Sequence, residues 1–203
     1  MTNGGSLDVR ALAGASGSRQ ALADAGAGSR TGGAAAQTAI ALSGFASDRI
    51  ENLGSIEIAG LARATATGGW AQAIGHVDNG LVQNAWGASA SAELVNSGSI
   101  ALVGAGTANG ASATGDGIIA GGIEQHVAAS GSVTKPLDGT PGGPSAGAAA
   151  TLANSGSISI SGIGHAEARG PAAAVGFVGG DLTVTATVGS QNASVTQIGR
   201  AHV

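Results

Sequence analysis

A short motif recurs four times in this chain of 203 residues and constrains its fold more than any other feature. The motif reads Asn-x-Gly-Ser-[Ile/Leu]-x-[Ile/Val/Leu], and its copies occupy residues 3–9, 52–58, 96–102 and 154–160. The four asparagines, Asn3, Asn52, Asn96 and Asn154, are 49, 44 and 58 residues apart. Four copies at similar spacing indicate a repeat protein whose units stack on their neighbours.

The residues that follow each motif alternate between two kinds of side chain. After the second copy, Ile56, Ile58 and Ala62 share one parity, whereas Glu57 and Arg63 share the other. A period of two is typical of a β-strand with one buried face, and the charged parity is expected to face solvent. The same period, with glycine every few residues, argues against a helix despite the helix propensity of alanine.

The Asn-x-Gly segment predicts a turn between two strands. Glycine can adopt positive φ, and asparagine tolerates the left-handed region while bonding nearby backbone. If the units stack, the equivalent asparagines are expected to form a ladder along one corner. A unit of about 50 residues is long for one solenoid coil, so we expect two coils per unit. Residues 81–85 and 123–127 are the expected strands of the second coil.

We therefore predict an all-β fold, a parallel β-solenoid (β-helix) of Ala/Gly-rich repeats. A β-meander of hairpins is the alternative, because periodicity does not distinguish parallel from antiparallel pairing. Residues 1–197 form the predicted repeat array. Residues 129–147 hold three of the four prolines and predict a Pro/Gly-rich loop extruded from the stack.

Composition excludes several classes of function. Glycine contributes 38 residues and charged residues only 10%, and the net charge is −4. There is no basic patch for nucleic acid, so no nucleic-acid partner is expected. The absence of cysteine excludes disulfides, cysteine zinc sites and thiol catalysis. No run of residues is apolar enough for a membrane-spanning helix.

Three groups of polar residues invite a functional interpretation, but we interpret each as solvated surface. His165, Glu167 and Arg169 share one strand face, and no second histidine or carboxylate is demonstrably near. The other two groups lie beside turn glycines, where isolated polar residues are expected: His76 with Asp78, and Glu124 with His126.

Further patterns fall short of known sites. Asp116 lies in a glycine-rich stretch similar to calcium-binding nonapeptides, but that stretch does not repeat. Lys135 precedes a proline rather than following a phosphate-cradling loop. Two Thr-x-Thr stretches, at residues 65–67 and 183–187, are too short for the flat array of an ice-binding solenoid. We assign no catalytic, cofactor-binding or metal-binding residue, expect no cofactor, and do not expect an enzyme.

The motif with its flanking Ala-x-Ala strands resembles the passenger repeats of Gram-negative autotransporters and hemagglutinin-like exoproteins. The resemblance covers nearly the whole chain. It implies a solenoid that is secreted or displayed at the cell surface, within a longer protein anchored by a separate outer-membrane barrel. The first residues do not resemble a signal peptide, so the resemblance places the export signal upstream.

The last six residues, 198–203, break the alternation abruptly. They resemble the translation of a common sequencing-adapter oligonucleotide, which predicts an artefactual tail on a truncated reading frame.

The expected function is a structural or adhesive repeat region of a bacterial surface protein. The alternative is a solenoid whose surface binds ice, a glycan or a host protein. An exposed threonine array or the loop around Lys135 would be needed for that alternative.

Overall fold

The computed structural model describes residues 1–28, 33–41, 44–130, 147–179, 182–188 and 193–198. Within these ranges the chain forms strands and no helix. A short strand, β1 (Thr2–Asn3), precedes four sets of four strands. The first set is β2 (Ser6–Gly17), β3 (Gln20–Ala27), β4 (Ala35–Ile40) and β5 (Phe45–Asn52). The second is β6 (Ser55–Ala66), β7 (Trp70–Val77), β8 (Leu81–Gly87) and β9 (Ser89–Asn96). The third is β10 (Ser99–Gly110), β11 (Ser112–Ile119), β12 (Ile123–Ala129) and β13 (Ala148–Asn154). The fourth is β14 (Ser157–Ala168), β15 (Ala172–Val178), β16 (Leu182–Val188) and β17 (Ala193–Ile198).

Each set is one coil, and equivalent strands of successive coils form four sheets. Sheet 1 contains β2, β6, β10 and β14; sheet 2 contains β3, β7, β11 and β15; sheet 3 contains β4, β8, β12 and β16; and sheet 4 contains β1, β5, β9, β13 and β17. Neighbouring strands are parallel in all four sheets. The predicted parallel β-solenoid is confirmed, and the β-meander is wrong because hairpins would pair antiparallel.

The register makes one motif unit equal to one coil. Leu7 pairs with Ile56, Ile56 with Ile100, and Ile100 with Ile158. The prediction of two coils per unit is therefore wrong. Residues 81–85 and 123–127 lie in β8 and β12, the third strands of the same coils. The coil is long because four strands, including one of 12 residues, surround its interior.

The alternation in the sequence corresponds to the inner and outer faces of the strands. In β6, Ile56, Ile58 and Ala62 are buried, whereas Glu57 and Arg63 lie on the outer side. The predicted solvent face is thus confirmed for this strand.

The interior is wide at one place and thin on either side of it. Its aliphatic side chains form one cluster, with Ile58, Leu94 and Leu102 among its fully buried members. A second cluster, between sheets 1 and 2, consists of alanines alone. A third, between sheets 3 and 4, contains alanines and Val127. Large side chains therefore fit only where all four sheets face one another.

Glycines bring sheets 1 and 2 closer than sheets usually pack. A methyl group added to Gly104 would overlap the carbonyl oxygen of Ile118, and one added to Gly75 would overlap that of Ala105. Sheets that pack through side chains lie about 10 Å apart. At Gly75 and Gly104 the backbones of the two sheets leave no room for a methyl group, so these two positions require glycine.

Two predictions from the sequence concern residues that lie largely outside the described ranges. For the loop predicted at 129–147, Ala129 ends β12 and Ala148 begins β13, and residues 131–146 lie outside the description. For the tail predicted at 198–203, Ile198 ends β17, and residues 199–203 lie outside it.

Candidate functional site

The four motif asparagines form a continuous side-chain ladder along the corner between sheets 4 and 1. The Nδ2 of Asn3 donates to Oδ1 of Asn52 at 2.9 Å, and Asn52 donates to Asn96 at 2.7 Å. Asn96 donates in turn to Asn154 at 2.7 Å. The Nδ2 groups of Asn3, Asn52 and Asn96 each donate in addition to the carbonyl oxygen of the next coil's motif serine. The predicted ladder is confirmed, and all of its amides point the same way along the solenoid.

Each motif glycine lies two residues after a ladder asparagine. Glycine is needed there for a different reason from the one predicted. Among the described glycines, positive φ occurs at Gly28 and Gly44, and neither belongs to a motif. A methyl group on Gly98 would overlap the carbonyl oxygen of Gly54 in the coil before it, and Gly156 relates to Gly98 in the same way. The motif needs glycine because its turns stack in direct backbone contact, so the predicted need for positive φ is wrong.

A second buried polar row crosses the interior and was missed in the sequence. Nε2 of Gln125 donates to Oε1 of Gln83 at 2.8 Å and to the Thr151 carbonyl oxygen at 3.0 Å. Nε2 of Gln83 donates to Oδ1 of Asp48 at 3.4 Å and to the Glu93 carbonyl oxygen at 3.1 Å. The row therefore runs from an amide in the third coil to a carboxylate in the first.

Both ends of this row carry an unpaired acceptor. Asp48 and Gln125 are fully buried, and Asp48 Oδ2 and Gln125 Oε1 have no hydrogen-bond partner among the described residues. Burial raises the pKa of Asp48 above its usual 3.8, against the lowering effect of the Gln83 hydrogen bond. Parity was the signal that could have found Asp48, because it shares a strand face with Ile50 and the ladder residue Asn52.

Outer polar residues form small groups that join neighbouring coils. Arg10 lies between Asp8, at 2.8 Å, and Glu57 of the next coil, at 3.0 Å. Arg49 lies in the same way between Glu51 and Glu93. These pairs are exposed, and exposed ion pairs contribute little to stability. They show how a period of two and in-register stacking place a cation between two carboxylates.

The histidine groups considered in the sequence are arranged in different ways. Nδ1 of His76 lies 3.2 Å from Asp24 of the coil before it, and its Nε2 lies 3.9 Å from Asp78. Nε2 of His126 lies 3.1 Å from Glu124 on its own strand. Within the described residues no group of three or more histidines and carboxylates could hold a metal ion.

The remaining candidate binding residues from the sequence do not come together in a common site. Asp116 lies between Ile74 and Val175 in sheet 2, so no second carboxylate occupies its register position in a neighbouring coil. The two threonine stretches lie in different sheets, because Thr65 belongs to β6 and residues 183–187 belong to β16. They therefore form no common array. Lys135 lies outside the described residues.

An open notch of about 790 Å³ lies at the corner between sheets 1 and 2. It is lined in part by Glu167 and Arg169, two members of the group that the sequence analysis named with His165. Its lining residues come from three coils and include Thr65, Thr67, Asn109, Ala111, Glu167 and Arg169. Nδ2 of Asn109 donates to Oε2 of Glu167 at 3.1 Å. His165 lies two residues before Glu167 on the exposed face of β14, but it does not line the notch.

Differences in turn length create the notch. Ala111 alone connects β10 to β11, whereas residues 67–69 connect β6 to β7 and residues 169–171 connect β14 to β15. The short turn of the third coil is thus recessed between two longer ones. Its backbone remains joined to both, since Ala111 N donates to Gly69 O and Gly170 N donates to Ala111 O.

No family model matches the sequence, and no curated protein or solved structure is significantly similar to it. No helix in the described ranges is long and apolar enough to cross a membrane.

Proposed function

We propose that this chain is a structural or adhesive repeat region of a bacterial secreted or surface-displayed protein, similar to an autotransporter passenger, and that it performs no catalysis. The asparagine ladder is the observation that carries this proposal. Every rung joins a coil only to its immediate neighbours, so the same contacts can be repeated indefinitely. Such a protein gains length by adding coils.

The rise per coil makes the spacer role measurable. Neighbouring parallel strands lie about 4.8 Å apart, so each added coil lengthens the solenoid by about that distance. A tandem duplication of residues 53–96 adds one complete coil that ends on a ladder asparagine. We expect the maximum dimension from small-angle X-ray scattering to grow by about 4.8 Å for each added coil. Growth in width instead of length would contradict the spacer role.

The cellular location requires a separate experiment. Antibodies raised against the purified repeats should label intact cells of the producing bacterium, and the label should disappear after protease treatment of those cells. Labelling that requires lysis would contradict surface display, and it would leave the spacer measurement unaffected.

The adhesive role can be separated from the spacer role through the Pro/Gly-rich segment. Deleting residues 131–146 removes the segment between Ser130, which follows β12, and Gly147, which precedes β13. If this segment mediates attachment, adherence of cells that display the deletion variant should fall while surface labelling stays the same. Unchanged adherence would exclude the segment as the adhesive element.

A further inference from the structure

The backbone N–H group that follows each motif asparagine is hydrogen-bonded in three coils but not in the first. In the second, third and fourth coils it donates to the carbonyl oxygen of the motif asparagine one coil earlier: Leu53 N to Asn3 O at 2.9 Å, Ser97 N to Asn52 O at 2.8 Å, and Ser155 N to Asn96 O at 2.8 Å. Gly4, which follows Asn3, is exposed, and its N–H makes no hydrogen bond within the described residues. The reason is its position, because β1 is the terminal strand of sheet 4 and has a neighbour among the described strands on one side only.

This N–H group belongs to the nitrogen that attacks the side chain when an asparagine deamidates. The nitrogen forms a bond to Cγ, the Cγ–Nδ2 bond breaks, and ammonia leaves with the proton of the attacking nitrogen. Water then opens the resulting succinimide ring at either carbonyl group and leaves aspartate or isoaspartate. Glycine in the following position favours the reaction, because it has no side chain to hinder the attack or to restrict the backbone. A hydrogen bond from the attacking N–H opposes the reaction, because that bond must break first.

Three Asn-Gly pairs occur in the chain, and the fold holds two of them in place. In the pair at residues 79–80, the glycine N–H donates to two carbonyl oxygens of the next coil, at 3.1 and 3.2 Å. The pair at residues 109–110 lies within β10, which is paired with a strand on each side. The third pair, at residues 3–4, has no such constraint on its glycine nitrogen. The other three motif asparagines precede leucine or serine.

The surroundings of Asn3 also favour attack at its side chain. Gly5 N donates to Asn3 Oδ1 at 3.3 Å, and a donor at this oxygen stabilises the negative charge that develops there when Cγ is attacked. A methyl group added to Gly4 would meet nothing within 4 Å, so water has open access to this turn. Asn3 itself is half-buried, whereas Asn52 and Asn96 are fully buried.

We propose that Asn3 is a site of spontaneous deamidation in the folded chain, and that the stacking of one coil on another protects the other three motif asparagines. The products have no Nδ2, so Asn52 Oδ1 and Ser55 O both lose the donor that Asn3 supplies. The reaction therefore removes the first rung of the ladder. This inference goes beyond the spacer role and does not rest on it, because it concerns the chemistry of the purified chain.

The test compares the rates of deamidation at different asparagines within one molecule. The purified chain is incubated at mildly alkaline pH, both folded and in urea, and samples are unfolded and digested with trypsin at intervals. Mass spectrometry then follows the replacement of each side-chain NH2 by OH, with Asn3 in the peptide of residues 1–10 and Asn52 in that of residues 50–63. We expect Asn3 to react at least about tenfold faster than Asn79 and Asn109 in the folded chain, the rate factor for one ordinary hydrogen bond, and at a similar rate in urea.

Two variants isolate the effect of stacking. Leu53→Gly places a glycine after Asn52 and keeps the N–H group that donates to Asn3 O, and the fold should tolerate it because the Leu53 side chain is exposed. We expect Asn52 in this variant to react about tenfold more slowly than Asn3 when folded, and at the same rate in urea. Gly4→Ser gives the first copy the Asn-Ser-Gly-Ser sequence of the third and fourth copies, and it should suppress the reaction at Asn3 in both states.

The outcomes separate stacking from local sequence. Circular dichroism verifies that Leu53→Gly is folded, and the wild-type comparison of Asn3 with Asn79 stands without that variant. Equal rates at Asn3 and Asn52 in the folded variant, or at Asn3 and Asn79 in the folded wild type, would overturn the proposal. Absence of reaction at Asn3 in the folded chain, while the unfolded chain reacts there, would overturn it as well.

Discussion

Removing one rung of the asparagine ladder tests the main physical claim about this fold. Asn96 is the most informative position because it is fully buried and has a ladder partner on each side. It accepts from Asn52 and donates to Asn154 Oδ1 and to the Ser157 carbonyl oxygen. Asn96→Ala therefore removes three hydrogen bonds at once.

The expected loss follows from the groups that remain. One Nδ2 hydrogen of Asn52 loses its acceptor, and Asn154 Oδ1 loses the Asn96 donor. Leaving the buried Asn52 donor unpaired costs about 1–3 kcal/mol, and the lost hydrogen bonds to the half-buried Asn154 and to the Ser157 carbonyl oxygen cost about 0.5–1.5 kcal/mol each, which gives about 2–6 kcal/mol in all. We expect Asn96→Ala to lower the free energy of unfolding by about 4 kcal/mol. Asn96→Asp should cost at least as much, because it places a carboxylate against the Asn154 carbonyl group.

Urea unfolding followed by circular dichroism measures this loss. Ser97→Ala is the matched control, since the neighbouring Ser97 side chain is exposed and its hydroxyl makes one long hydrogen bond of 3.4 Å. We expect that control to change stability by no more than about 0.5 kcal/mol. Hydrogen exchange should place the damage in the coils on either side of Asn96, because coils contact only their neighbours. A loss below about 1 kcal/mol, or one equal to that of Ser97→Ala, would refute the ladder's contribution.

Two further substitutions test the interior. Burial raises the pKa of Asp48, so the folded chain holds this proton more tightly than the unfolded chain. The free energy of unfolding should therefore fall as pH rises from the ordinary value of 3.8 through the folded value. Asp48→Asn should remove that pH dependence and stabilise the chain at neutral pH, as thermal unfolding across a pH series would measure; an unchanged slope would contradict this. Gly104→Ala should destabilise by about 3 kcal/mol or more, because its methyl group meets backbone rather than a movable side chain. Gly14→Ala is its control, since a methyl group there meets nothing within 4 Å. Equal urea midpoints for the two glycine variants would refute the close contact between sheets 1 and 2.

The repeated motif was enough to predict the ladder. Parallel stacking places identical positions of successive units side by side, so an asparagine repeated at Asn52 and Asn96 must meet itself. The alternation around Ile56 and Glu57 was enough to predict which face is buried, because a strand turns alternate residues to opposite sides.

Two features could not be predicted from local patterns. The number of strands in a coil depends on which distant strands pair, and periodicity does not encode this. The notch depends on comparing turn lengths across coils, and those lengths are defined only after β6, β10 and β14 are aligned by their pairing. Thr65, Asn109 and Glu167 are far apart in the chain and meet only in that register.

The sequence by itself determined that the chain is a repetitive β-protein with a polar turn in each unit, because a recurring motif and a period of two are local properties of the chain. The strand pairing of the tertiary structure decided between the parallel solenoid and the β-meander. Only the tertiary structure decided the thickness of the interior. The glycines at positions 75 and 104 look interchangeable with alanine in a strand pattern, yet each is required where one backbone meets another. The same thin interior leaves no space for aromatic rings, and so Trp70 and Trp86 lie outside.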